Sequence, residues 1–173
     1  MKEKKLLQRL ALTALLAAFA AALGYIDAII PVYNFLPVPG LKLGLANLAV
    51  LFTLCLLGWK EALAVSFIRI LIVNLLLFPS PTALAFSLAG GALSLAGMCL
   101  LYKFKFHPVT LGVLGSVLHN LAQTVTAVFL LQTPQLFSYL LFLLPVGIVS
   151  GALIGLLVSI LVPRVRAALE RSK

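Results

Sequence analysis

Long apolar runs separated by short polar breaks fill the chain from its first tenth almost to its end, and each break carries residues that stop or start helices. The runs span about 10–30, 41–57, 62–78, 82–101, 109–131 and 136–162. A membrane-crossing helix needs roughly 20 apolar residues, so the pattern predicts six transmembrane helices in an all-α, polytopic membrane protein. The breaks are the Pro37-Val38-Pro39-Gly40 stretch, the Gly58-Trp59-Lys60-Glu61 turn, Pro79-Ser80-Pro81, the basic aromatic segment 102–108, and Gln132-Thr133-Pro134-Gln135. Pro145 and Gly147 interrupt the sixth run, which is expected to end at Pro163 and pass into a polar tail.

Composition agrees with this reading and narrows it. Of 173 residues 63% are hydrophobic and 10% charged, with mean hydropathy +1.19, leaving room for one transmembrane domain over 1–173 and no soluble one. The N-terminal apolar run is too long for a secretory signal and is expected to be an uncleaved first span. The formal charge of +9 does not point to nucleic acid, because the cations sit at the ends of the runs. Six spans put eleven of the thirteen cations on one face, with Lys42 opposite and Arg69 inside a span. The positive-inside rule makes that face cytoplasmic, with both termini there, in a lipid bilayer. Cys55 and Cys99 lie in apolar segments without a CxxC pattern and read as buried thiols.

The polar residues left inside the spans are few, and ionisable groups at membrane depth are costly, so each calls for a partner, a cavity or a route to water. Counting from the cytoplasmic ends puts Asp27 ~25 Å up the first span, Arg69 ~12 Å up the third, and His119, Asn120 and Gln123 ~16 to 22 Å up the fifth. Lys42 and Asn47 belong to the Pro37 to Asn47 insert and fall in the outer part of the second span. Irregular backbone survives in lipid only against protein or a water-filled cavity, so this insert is expected to rim a site. The economical account is a polar site entered from outside, lined by Lys42, Asn47, Arg69, His119, Asn120 and Gln123. Asp27 is the counter-ion to Lys42 or Arg69, and for the uncompensated cation two readings stand: it favours an anionic ligand, or Lys42 simply reaches water. His119 and Gln123 share a helix face. For this trio, as for Arg69, two readings stand: ligand contact and interhelical hydrogen bonding. No metal or cofactor is expected, since His107 lies far from His119 and no carboxylate-histidine cluster exists. Acids occur only at Glu3, Asp27, Glu61 and Glu170, and GxxxxGK[ST] is absent, so prenyl transfer and ATP hydrolysis are not expected of this chain.

PGLKLGLANLAVL (39–51) and GSVLHNLAQ (115–123) resemble the two signature stretches of the bacterial Gx transporter family, also described as heptaprenyl diphosphate synthase component I. That family is similar to the substrate-binding S components of energy-coupling factor transporters, which are small six-helix proteins. The resemblance implies an S-component-like bundle in the bacterial cytoplasmic membrane that takes up a micronutrient from outside. Its partners would be a membrane coupling subunit and ATPases, docked through small residues of the first helix, here Ala14, Ala18 and Ala22. The alternatives are an accessory subunit of heptaprenyl diphosphate or quinone-precursor synthesis, and a self-contained secondary carrier.

Overall fold

The computed structural model describes residues 2–29, 44–77 and 79–171, and among these every regular element is helical. The elements are α1 (Lys2–Ile29), α2 (Leu45–Leu56), α3 (Trp59–Leu71) with a π-helical continuation (Ile72–Leu77), α4 (Pro81–Lys103), α5 (Pro108–Leu131), a 3-10 turn (Pro134–Tyr139) and α6 (Leu140–Arg171). Among the described residues four stretches are long and apolar enough to cross a membrane: Leu6–Asp27, Pro81–Lys103, Pro108–Leu131 and Pro134–Arg171. The chain is therefore an all-helical, membrane-embedded protein.

The segments expected as the second and third spans are helical but are not among these four. Helix α2 has 12 residues, about 18 Å. The 13-residue α3 starts at a charged turn, carries Arg69 and then leaves the α-helical ladder for the π segment.

Helix ends follow local chemistry. Ser80 caps α4, its hydroxyl accepting from Ala83 N at 3.2 Å, and His107 Nδ1 accepts from Val109 N at 3.3 Å to open α5. A proline occupies the first turn of each, where the missing N–H is no loss. The polar tail expected after Val162 is instead helical: α6 runs through Pro145 and Pro163 to Arg171. Arg166 anchors that extension by donating to the Cys55 carbonyl at 3.1 Å. Between α4 and α5 the chain turns through paired bonds, Phe106 N to Leu101 O at 3.2 Å and Lys105 N to Tyr102 O at 3.0 Å. This is a Schellman closure, and its left-handed residue is Lys105 (φ 59°), where glycine is usual and a side chain costs about 1 kcal/mol.

Packing rests on small residues, because lipid gives apolar helices no hydrophobic reason to associate. Helix α5 lies between α4 and α6. On α6, Gly147, Gly151 and Gly155 recur every four residues and face α5. A Cβ at Gly151 would stand 2.5 Å from Gly112 O, and one at Gly155 would meet the backbone of Pro108 and Val109. The backbones thus touch directly. Beside this seam an apolar core gathers Ala20, Leu51, Leu54, Val65, Met98, Leu111 and Val158.

Polar groups collect at the two ends of α2. At its C-terminus, Arg9 donates to Leu57 O at 2.9 Å and pairs with Glu61 at 2.6 Å, while Arg166 holds Cys55 O. Cations suit the exposed carbonyls of a helix C-terminus. The other end of α2 opens on the candidate site.

Candidate functional site

At the N-terminal end of α2 lies a cavity of about 40 Å³ lined by residues of each of the helices α1 to α6. Asp27 comes from α1, Asn47 from α2 and Arg69 from the end of α3. Ser87 on α4, His119, Asn120 and Gln123 on α5, and Ser150 on α6 complete it. Five of the six residues expected to line a site therefore meet around one space, with the expected counter-ion among them. The sixth, Lys42, lies outside the described residues, as does most of the Pro37 to Asn47 insert.

Charge within the cavity is arranged around α2. The buried Asp27 carboxylate accepts from Ala46 N at 3.3 Å, so α1 supplies an anionic cap to the start of α2, where the helix dipole favours one. Arg69 lines the same cavity as Asp27. Arg69 Nη2 donates to Asn47 Oδ1 at 3.2 Å, and its enclosed Nε has no hydrogen-bond partner among the described residues. A second cavity of about 30 Å³ adjoins the first, sharing Asp27, Ala46, Arg69 and Ser87 and adding Asn74 from the π segment. There Asn74 donates to Ile70 O at 2.9 Å and accepts from Ser87 at 3.3 Å.

Glycines on the flanking helices aim the α5 trio. A Cβ on Gly90 of α4 would stand 2.8 Å from Gln123 Cγ and 2.9 Å from His119 Nδ1, so both side chains lie across bare backbone. Gly147 does the same for Asn120, whose Nδ2 would sit 2.7 Å from an added Cβ and donates to Leu143 O at 2.8 Å. Interhelical bonding and cavity lining are thus combined in Asn120 and Arg69. The result is a space offering one carboxylate, one guanidinium, one imidazole, and amide and hydroxyl groups that both donate and accept.

Ser87, Ser116 and Ser150 also line the cavity, and the sequence reading does not single them out. A signal for two of them is present: Ser116 precedes His119, Asn120 and Gln123 by three, four and seven residues, and Ser87 precedes Gly90 and Gly91 by three and four, each set on one helix face. Ala14, Ala18 and Ala22 are exposed on α1, whereas Ala17, Ala20 and Ala21 face inward and pack. Among the described residues no group of three His, Cys, Asp or Glu side chains comes together.

Fold and site together define a membrane-embedded helical protein with a polar cavity between its helices. The chain belongs to the family described as heptaprenyl diphosphate synthase component I, whose model matches residues 16–161. Nothing among curated proteins or solved structures matches it.

Proposed function

We propose that this chain is the substrate-binding subunit of a micronutrient importer, a six-span protein with cytoplasmic termini that is energised by a separate coupling subunit and ATPases. The convergence of Asn47, Arg69, His119, Asn120 and Gln123, with Asp27, on one cavity supports this reading most directly. Polar groups from separate helices at membrane depth are costly, and a ligand that uses them explains their meeting. With four acids in the whole chain and no phosphate loop, we assign it binding and no catalysis. The exposed Ala14, Ala18 and Ala22 stripe is the face we assign to the coupling subunit.

The family description supports a second reading, an accessory membrane subunit of heptaprenyl diphosphate synthesis. Copurification separates the two. Recovery of an ATPase with a membrane coupling protein is the expected result, and recovery of a soluble prenyl synthase instead would favour the second reading.

The site itself is tested by mass spectrometry of small molecules retained by the purified protein. A retained compound should be lost from a Lys42→Ala, His119→Ala double variant; unchanged retention would remove these residues from the binding set. Gly90→Ala is the finer probe. The atoms nearest the new methyl belong to the side chains of His119 and Gln123, which can shift, so the melting temperature is expected to hold within about 3 °C, while retention falls several-fold. Full retention in this variant would show that the aim of His119 and Gln123 does not matter to the ligand.

A further inference from the structure

The turn joining α4 to α5 lies between two helices long and apolar enough to span, so it sits at a membrane face. Its sequence alternates cation and ring: Tyr102, Lys103, Phe104, Lys105, Phe106. All five residues are exposed, with Phe104 at 65% and Phe106 at 50%. Rings of this kind settle at the boundary between acyl chains and headgroups. Lysines between them are then held at the depth of lipid phosphates, where each cation contributes to attraction for an anionic surface.

The backbone adds an independent argument. Lys105 occupies the left-handed position of the Schellman closure, where glycine would close the turn without strain. A lysine is therefore present against the conformational preference of its own site. A solvated loop cation has no need of that position, since the neighbouring residues offer unstrained ones. Strain kept at one residue points to what its side chain does.

We propose that Lys103 and Lys105, flanked by Phe104 and Phe106, form a binding site for the headgroup of an anionic phospholipid, fixing the α4–α5 end of the bundle in its leaflet. The cations meet the lipid phosphate and the rings lie along its upper acyl chain. This site is separate from the polar cavity and does not depend on what the cavity binds.

The test places a reporter in the turn. The lone tryptophan, Trp59, is removed by Trp59→Phe, and Phe104→Trp provides a local fluorophore in protein reconstituted into bilayers. Brominated phosphatidylglycerol, present as a minor component, is expected to quench the emission of this reporter at least about two-fold more than the same fraction of brominated phosphatidylcholine. Lys103→Gln with Lys105→Gly should erase that preference, while the melting temperature stays level or rises because glycine suits the turn. Equal quenching by the two lipids in the lysine-containing protein would overturn the proposal, and so would a preference that survives in the double variant. Loss of the preference on adding inorganic phosphate, but not chloride at equal ionic strength, would reassign the site to a soluble phosphate and overturn it as a lipid site.

Discussion

Gly151→Leu is expected to eliminate the folded protein, seen as loss of the monodisperse peak in detergent size-exclusion chromatography. An added Cβ at this position stands 2.5 Å from Gly112 O and 2.8 Å from Val113 Cα, and backbone atoms of a packed helix cannot rotate away as a side chain can. The helices must separate, and Gly155, one turn on, loses its contact with Pro108 and Val109 in the same movement. The graded variant is more informative. Gly151→Ala improves helix propensity by about 1 kcal/mol, so any net loss of stability measures the seam. We expect a net loss of about 2 kcal/mol, a fall of roughly 4–8 °C in melting temperature. Leu153→Ala, about 200° round the helix and 59% exposed, should change it little. A wild-type melting temperature for Gly151→Ala would mean that α5 and α6 are not held by backbone contact.

The seam and the cavity are unequally legible in the sequence. Polar residues inside apolar runs are conspicuous, and Asn47, Arg69, His119, Asn120 and Gln123 stand out because membrane depth makes each of them expensive. Their convergence follows from depth, since most of them count into the outer half of the bundle. The serines at 87, 116 and 150 cost less in lipid because a hydroxyl can bond its own helix backbone, as Ser150 does to Gly147 O at 3.3 Å, so their type alone carries no signal. Helix ends set by local chemistry, such as Ser80 with Pro81, can be read directly. Where tertiary contact decides, local signals mislead: Pro163 reads as a stop, yet Arg166 reaching the Cys55 carbonyl keeps the last turns of α6 against the bundle. The π segment after α3 has no sequence mark either. Its Asn74, bonded to both Ile70 and Ser87, ties that irregular stretch to its own helix and to α4.

Arg69 gives the second large effect, because its variants separate what holds the bundle together from what holds a ligand. Arg69→Met takes its donor from Asn47 Oδ1 and removes the guanidinium from the cavity that the buried Asp27 carboxylate also lines. If the two opposite charges in this enclosed cavity are coupled, removing one costs about 3–5 kcal/mol, so a fall of roughly 10 °C in melting temperature is expected. Asp27→Asn should cost a comparable amount by leaving the guanidinium uncompensated, although the amide oxygen can still accept from Ala46 N and keep α2 capped. The double variant removes both charges together and should be more stable than either single one, a coupling of at least about 1 kcal/mol in a double-mutant cycle. Strictly additive losses would show that the two charges are independent and would end the counter-ion role of Asp27 toward Arg69. Ligand retention should follow a different course: lost in Arg69→Met, it should stay lost in the stabilised double variant, because neutralising Asp27 restores packing without returning a cation to the cavity wall. Retention recovering together with stability would make Arg69 a strut between α2 and α3 with no part in binding.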